Sequence, residues 1–203
     1  MDSDFERVTG EHFHSSNLLY TDAHDLECLL CRSSALDKVL AEHGDPRKIR
    51  RFERRGMDVR TGLLERALVF GRLRLAALLA RPAVELQMRV QRFVDEKTWT
   101  VDREMLIQQV MSNSPRDADA ITARLGKLPE VDPWHVVRGH DMIAILCIGL
   151  RRVLGNLPAS KGIGDVAGLL RAGMSPEDLR DTGLWTSMQA WQAANRPYVV
   201  LAD

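Results

Sequence analysis

Leu18-Leu19-Tyr20-Thr21-Asp22-Ala23-His24-Asp25-Leu26-Glu27 is the stretch on which the fold class turns. A short apolar, aromatic and β-branched run ends at a carboxylate, and a helical pattern begins just beyond it. Such a run reads as a buried strand. Asp22 or Thr21 then caps a helix to about His43, with Leu26, Leu29, Leu30, Leu36, Val39 and Leu40 on its inner face. A strand feeding a helix is the unit of an α/β fold, whose sites lie over the carboxyl ends of the strands. Asp25 and Glu27 fall in the first helical turn, where the helix dipole stabilises acids. Capping and metal binding are therefore both open to Asp22, Asp25 and Glu27.

Downstream the pattern is helical. Gly44-Asp45-Pro46 ends the first helix, with a left-handed glycine cap expected and proline starting the next helix. Arg47 to Arg55 is a basic amphipathic turn or short helix with Ile49 and Phe52 inward. Val59 to Leu79 is a long helix stopped by Pro82. Gln91-Arg92-Phe93-Val94 and Trp99-Thr100-Val101 can form two short strands about the polar turn Asp95-Glu96-Lys97. Asp102 caps a helix through Met111, and Ser114-Pro115 starts another through Leu128. Asp141 to Leu154 is the most apolar helix. Further short helices begin near Gly164 and at Ser175-Pro176-Glu177-Asp178. The expectation is a helix-rich α/β protein.

A chain of 203 residues, 45% hydrophobic and 28% charged, is long enough for one ordinary core and too apolar for a disordered segment. No apolar run approaches the ~20 residues that span a bilayer. The N-terminus has no apolar signal region, and three cysteines give no disulfide framework, so a cytoplasmic location and no membrane partner are expected. The net charge of zero conceals an asymmetry. Residues 1–43 carry nine acidic and three basic side chains, a charge of −6, and residues 44–92 carry five and thirteen, a charge of +8. That pattern suits a metal site beside a polyanion surface, and equally two halves of one fold that neutralise each other.

Three acidic constellations are candidates for chemistry. Asp2 and Asp4, at i and i+2 of an extended stretch, point to one side and can share a hard cation such as Mg²⁺. Two carboxylates so placed can activate water for phosphoryl transfer, although a solvated tail has the same appearance. Asp22, Asp25 and Glu27 form the second group. Arg138-Gly139-His140-Asp141 is the third, in which Asp141 can cap the apolar helix and His140 can serve as base, ligand or phosphate contact. His24, Cys28 and Cys31 fall at metal-like spacing, but zinc wants a fourth ligand and leucines flank both cysteines, so they read as buried thiols. The run Arg47-Lys48-Ile49-Arg50-Arg51-Phe52-Glu53-Arg54-Arg55 can track a phosphate backbone or form a solvated face.

Taken in order, Asp2-Ser3-Asp4-Phe5, Asn17 to Glu27 and Gly139-His140-Asp141 resemble the bacterial domain-of-unknown-function family numbered 4435. Leu169-Leu170-Arg171, Thr182-Gly183-Leu184-Trp185 and Trp191 to Pro197 extend the resemblance over nearly the whole chain. The resemblance implies a partial TOPRIM-like sheet core over residues 1–43, related to the nuclease half of OLD-type proteins, followed by a mainly helical region over 44–203. It implies metal ligands at Asp2, Asp4, Asp22, Asp25 and Glu27, with His140 and Asp141 close to the site. A Mg²⁺-dependent nuclease or phosphoesterase of an anti-phage system is the implied activity, with nucleic acid as substrate and an ABC-type ATPase as possible partner. The family's first-strand glutamate has no counterpart here. The chain is therefore expected to begin inside its own metal motif, with an upstream extension or lost catalysis; an in-frame stop just upstream would refute the extension. The alternative is a non-catalytic interaction or regulatory module retaining the helical half of the family.

Overall fold

Helix α8, Gly139–Arg152, is the element around which the others assemble. Its residues from Asp141 to Leu150 are all buried. A helix apolar on every side must be covered on every side. Three helices supply the cover: α2 (Leu26–Arg32), α5 (Val59–Ala80) and α9 (Ile163–Gly173). Next, α3 (Ala35–His43) packs on α9, and α7 (Ala118–Leu125) lies against α5. Helix α4 (Pro46–Glu53) links α3 to α5, and α6 (Arg103–Asn113) precedes α7. At the ends of the chain are α1 (Glu6–Thr9) and a pair, α10 (Pro176–Arg180) and α11 (Gly183–Ala194). The computed structural model describes residues 5–10, 15–80, 88–113 and 117–201, except for the side chain of Asn113. Among them no helix is long and apolar enough to cross a membrane.

The expected α/β class, with its TOPRIM-like sheet core, is overturned. The described elements are helical, and the only β pairing among them is two isolated bridges, Gly44–Gly155 and Val94–Val101. The Leu18–Thr21 run enters no sheet. The Arg7 guanidinium donates to the Thr21 carbonyl at 2.9 Å, and the Thr21 hydroxyl donates to the carbonyl of Ala23 at 2.7 Å. The Thr21 carbonyl, which a strand would pair with a neighbour, is thus met here by a side chain. The two strands expected about Asp95-Glu96-Lys97 contract to one bridge. The Asp95 N–H donates to the Thr100 carbonyl and the Asp102 N–H to the Phe93 carbonyl, while Val90–Arg92 is a 3₁₀ turn.

The helix expected from Asp22 to His43 is two helices. Asp25 is its N-cap, and Ser33-Ser34 breaks it. The Ser33 hydroxyl donates to the Leu30 carbonyl and accepts from the Ala35 N–H, so it competes locally for the backbone as serine does. Gly44 is extended, at φ −79°, and so is not the left-handed cap expected. Its role is close approach: a methyl group at Gly44 would collide with the Leu40 carbonyl, and one at the facing Gly155 with the His43 carbonyl. The helix expected from Ser114-Pro115 to Leu128 is described only as Ala118–Leu125, whereas two other starts are as read. Asp45 caps α4 with Pro46 in its first turn, and Ser175 and Asp178 form a reciprocal capping box on α10. One hydrophobic cluster extends from Ala23 to Leu170 and draws on both sides of residue 43.

Candidate functional site

Among the described acidic residues, Asp22 and Asp25 accept from helix N-termini, while Glu27 and Asp141 lie in the first turns of α2 and α8. Asp25 is buried at 6% exposure. Its Oδ1 accepts from the Cys28 N–H at 2.8 Å, capping its own helix. Its Oδ2 accepts from the Gly139 N–H, also at 2.8 Å, at the start of α8. The two N-termini therefore meet at one carboxylate, which suits the positive end of both dipoles. Gly139 is required there, since a methyl group would collide with Asp25 Oδ1 and Glu27 Cβ. Asp22 reaches instead to α11, where its Oδ2 accepts from the Leu184 N–H at 2.9 Å. Thr182 caps that same helix by accepting from the Trp185 N–H.

Asp141 lies within the first turn of α8, and the cap position is Arg138, whose side chain caps nothing. The capping expected of Asp141 is supplied by Asp25. Asp141 itself receives Arg74 of α5 through two hydrogen bonds, 2.9 Å and 3.3 Å, with both side chains largely buried. Arg74 also donates to the Met88 carbonyl at 3.4 Å. Asp22, Asp25 and Asp141 are thus engaged with helix ends or an arginine, and Glu27 is half-buried beside Gly139. No group of three histidine, cysteine, aspartate or glutamate residues among the described residues is placed to hold a metal ion. Of the five expected ligands, Asp22 and Asp25 are held by backbone N–H groups of helix ends. Asp2 and Asp4 lie outside the described residues.

His140 is exposed. Cys28 and Cys31 are fully buried free thiols, as their leucine neighbours suggest, and burial beside Asp25 pushes both upward, Cys31 to about 12. His24 precedes α2 and is buried; its Nδ1 lies 3.3 Å from the His135 carbonyl oxygen, and Phe5 packs edge-on against its ring. Burial and the Arg7 charge lower His135 from its ordinary value.

The basic segment forms a regular surface. Asp45 accepts from the Arg47 and Lys48 N–H groups and so fixes the start of α4. Phe52 is buried and Ile49 is half-buried, while Arg47, Arg50, Arg51, Arg54 and Arg55 are exposed. Positions 47, 50, 51 and 54 share one helical face, opposite the apolar pair. Among the described residues none of these five arginines makes an ion pair. Lys48 is anchored instead, donating to the Gly155 carbonyl at 2.7 Å and Asn156 Oδ1 at 2.6 Å. Beneath the helix, Phe52 meets Trp99 edge-on at 5.3 Å, and Arg66 stacks 4.3 Å above the Trp99 ring. The charge asymmetry is partly neutralised within the fold by the 2.9 Å Arg60–Asp37 pair, but α4 is outside that neutralisation.

Sequence reasoning missed Arg74 and, beyond its capping box with Ser175, the wider role of Asp178. The latter accepts from the N–H and hydroxyl of both Ser34 and Ser175, all at 2.8 Å. Only the Ser175-x-x-Asp178 capping box signals that role in the sequence. Comparison with family models, curated proteins and solved structures found no match.

Proposed function

We propose that this chain is a non-catalytic interaction module, keeping the helical half of the family it resembles, which binds the phosphate backbone of nucleic acid through α4. The carrying observation is the set of five exposed arginines on α4 and the turn that follows it, none ion-paired among the described residues, with the opposite face of α4 fixed by Phe52 and Ile49. The use of Asp22, Asp25 and Asp141 as structural acceptors supports the non-catalytic half of the reading. Neither aromatic near α4 is offered to solvent, Phe52 and Trp99 being 5% and 0% exposed. Base stacking of the kind that single-strand binders use therefore has no platform on α4, and contact is to phosphates.

Phosphate contact makes affinity steeply salt-dependent, with a slope of about −0.9 per phosphate neutralised on duplex DNA. If α4 covers about four phosphates, affinity falls on the order of 10²-fold between 50 and 200 mM salt. Fluorescence anisotropy with a labelled duplex measures this directly. Substituting Arg50→Gln and Arg54→Gln should weaken binding equally on unrelated sequences and make the slope shallower by about 1 per arginine. Salt-independent binding, or equal binding by the double variant, overturns the α4 reading. Mg²⁺- or Mn²⁺-dependent cleavage by the chain, lost on Asp4→Ala, overturns the non-catalytic reading and restores a metal-dependent nuclease.

A further inference from the structure

Six cations fall between residues 47 and 55, and the fold divides them into two kinds. Five are the exposed arginines of the α4 surface. The sixth, Lys48, is half-buried on the flank of α4 beside the turn that follows α8. Its ammonium donates to the Gly155 carbonyl at 2.7 Å and to Asn156 Oδ1 at 2.6 Å, so two of its three N–H donors are taken. Asn156 closes the circuit by donating from Nδ2 to Asp45 Oδ2 at 3.5 Å, while Asp45 Oδ1 caps α4. The backbone runs alongside: the Asp45 N–H donates to the Leu154 carbonyl at 2.8 Å, and Gly44 bridges Gly155.

The other end of α4 is seated by rings. Phe52 meets Trp99 edge-on at 5.3 Å, and the Arg66 guanidinium lies 5.4 Å from the Phe52 ring and 4.3 Å from that of Trp99. A helix held by one edge-on contact can still pivot about it. Directional hydrogen bonds from a charged donor at the opposite end remove that freedom. Lys48 is therefore committed: to reach a phosphate it would have to leave both of its acceptors, and α4 would lose the tie that sets its angle. Side chains already held in their bound geometry avoid the ordering cost of association, so the tie acts on affinity without touching the ligand.

We propose that Lys48, with Asn156, is a positioning residue of the α4 surface and not one of its phosphate contacts, fixing the angle at which the arginines are presented. The proposal rests on the nucleic-acid reading of α4 for its binding readout, and on hydrogen exchange for one that needs no ligand. Duplex affinity is measured by anisotropy across a salt series for the native chain, Lys48→Met, Asn156→Ala and Arg50→Gln. Lys48→Met and Asn156→Ala should each weaken binding about three- to tenfold. Both should keep the slope of log K against log salt within about 0.3 of native, while Arg50→Gln makes it shallower by about 1. A Lys48→Met slope as shallow as that of Arg50→Gln makes Lys48 a phosphate contact and overturns the proposal, as does native affinity in both variants. In the free chain, the amides from Ile49 to Glu53 should exchange at least about threefold faster in both variants, with α8 as protected as before. Unchanged exchange overturns the proposal whether or not the duplex binds. Failure of the native chain to bind, with exchange raised in both variants, overturns the nucleic-acid reading alone and leaves Lys48 as what fixes α4.

Discussion

Both oxygens of Asp25 are occupied by backbone N–H groups from different helices, so its removal strands two donors in the interior. A lost cap costs about 0.5–2 kcal/mol, and a buried donor left unmet about 1–3 kcal/mol. Asp25→Ala should therefore destabilise by roughly 3 kcal/mol in urea unfolding, and a loss below about 1 kcal/mol would deny the double cap. Asp141 differs in kind, because its loss leaves the largely buried Arg74 charge unpaired. Asp141→Ala should cost about 3–5 kcal/mol, whereas replacing both partners, Arg74→Met with Asp141→Leu, should recover most of it. Absence of recovery in the double variant would mean that Arg74 has other essential contacts, its bond to the Met88 carbonyl being the first to test. Loss of function on charge removal at these positions would then report unfolding as much as chemistry.

Between elements, Asp178 fastens the start of α3 to the start of α10 through Ser34 and Ser175. Desolvation alone would raise its carboxyl, but the hydrogen bonds from Ser34 and Ser175 outweigh it and hold the group well below the usual range. A carboxyl depressed in the folded state contributes stability that is present above its unfolded value, roughly pH 4, and is lost as pH falls below it. Asp178→Asn should flatten that acid-side loss and lower stability at neutral pH by about 1–2 kcal/mol, measured by thermal unfolding from pH 7 to pH 3. An unchanged acid limb would place the depression elsewhere. Much at this scale was legible in the sequence. The apolar runs of α5 and α8 and the Asp45-Pro46 and Ser175-Pro176 starts carry their own local signals. Leu18–Thr21 does not, because a run of four residues is too short to have a period that separates a strand from an irregular segment. The acidic residues Asp22, Asp25 and Asp141 were visible, but their partners were not. Gly139 is 114 positions from Asp25 and Arg74 is 67 from Asp141, so no local rule connects them. Where such pairs form depends on how the helices pack, which periodicity leaves undetermined.

For the whole molecule, a single hydrophobic cluster from Ala23 to Leu170 joins the N-terminal helices to the remainder. Trp99 is in its interior, fully buried, whereas Trp185 and Trp191 are half-buried on α11. Unfolding followed by far-UV circular dichroism should give one cooperative transition for the segments on either side of residue 43. Two separated transitions, the earlier one removing the signal of α2 and α3, would mark residues 1–43 as a unit of their own. Helix α11 stands apart from this cooperativity. It buries no residue, and two of its ties to the rest of the chain are single hydrogen bonds, Asp22 to the Leu184 N–H and Asn17 to the Trp191 indole at 3.1 Å. Release of α11 uncovers only half-buried side chains, whereas α8 is buried from Asp141 to Leu150, so that release should require far less free energy than opening α8. In hydrogen exchange, the amides of α11 should lose their protons by local opening, with a weak dependence on denaturant. Those from Met142 to Leu150 should exchange only when the entire chain unfolds. The same molecule would then present a slow clock at its centre and a fast one at its C-terminal helix, and a protease would make its first cut near the fast one.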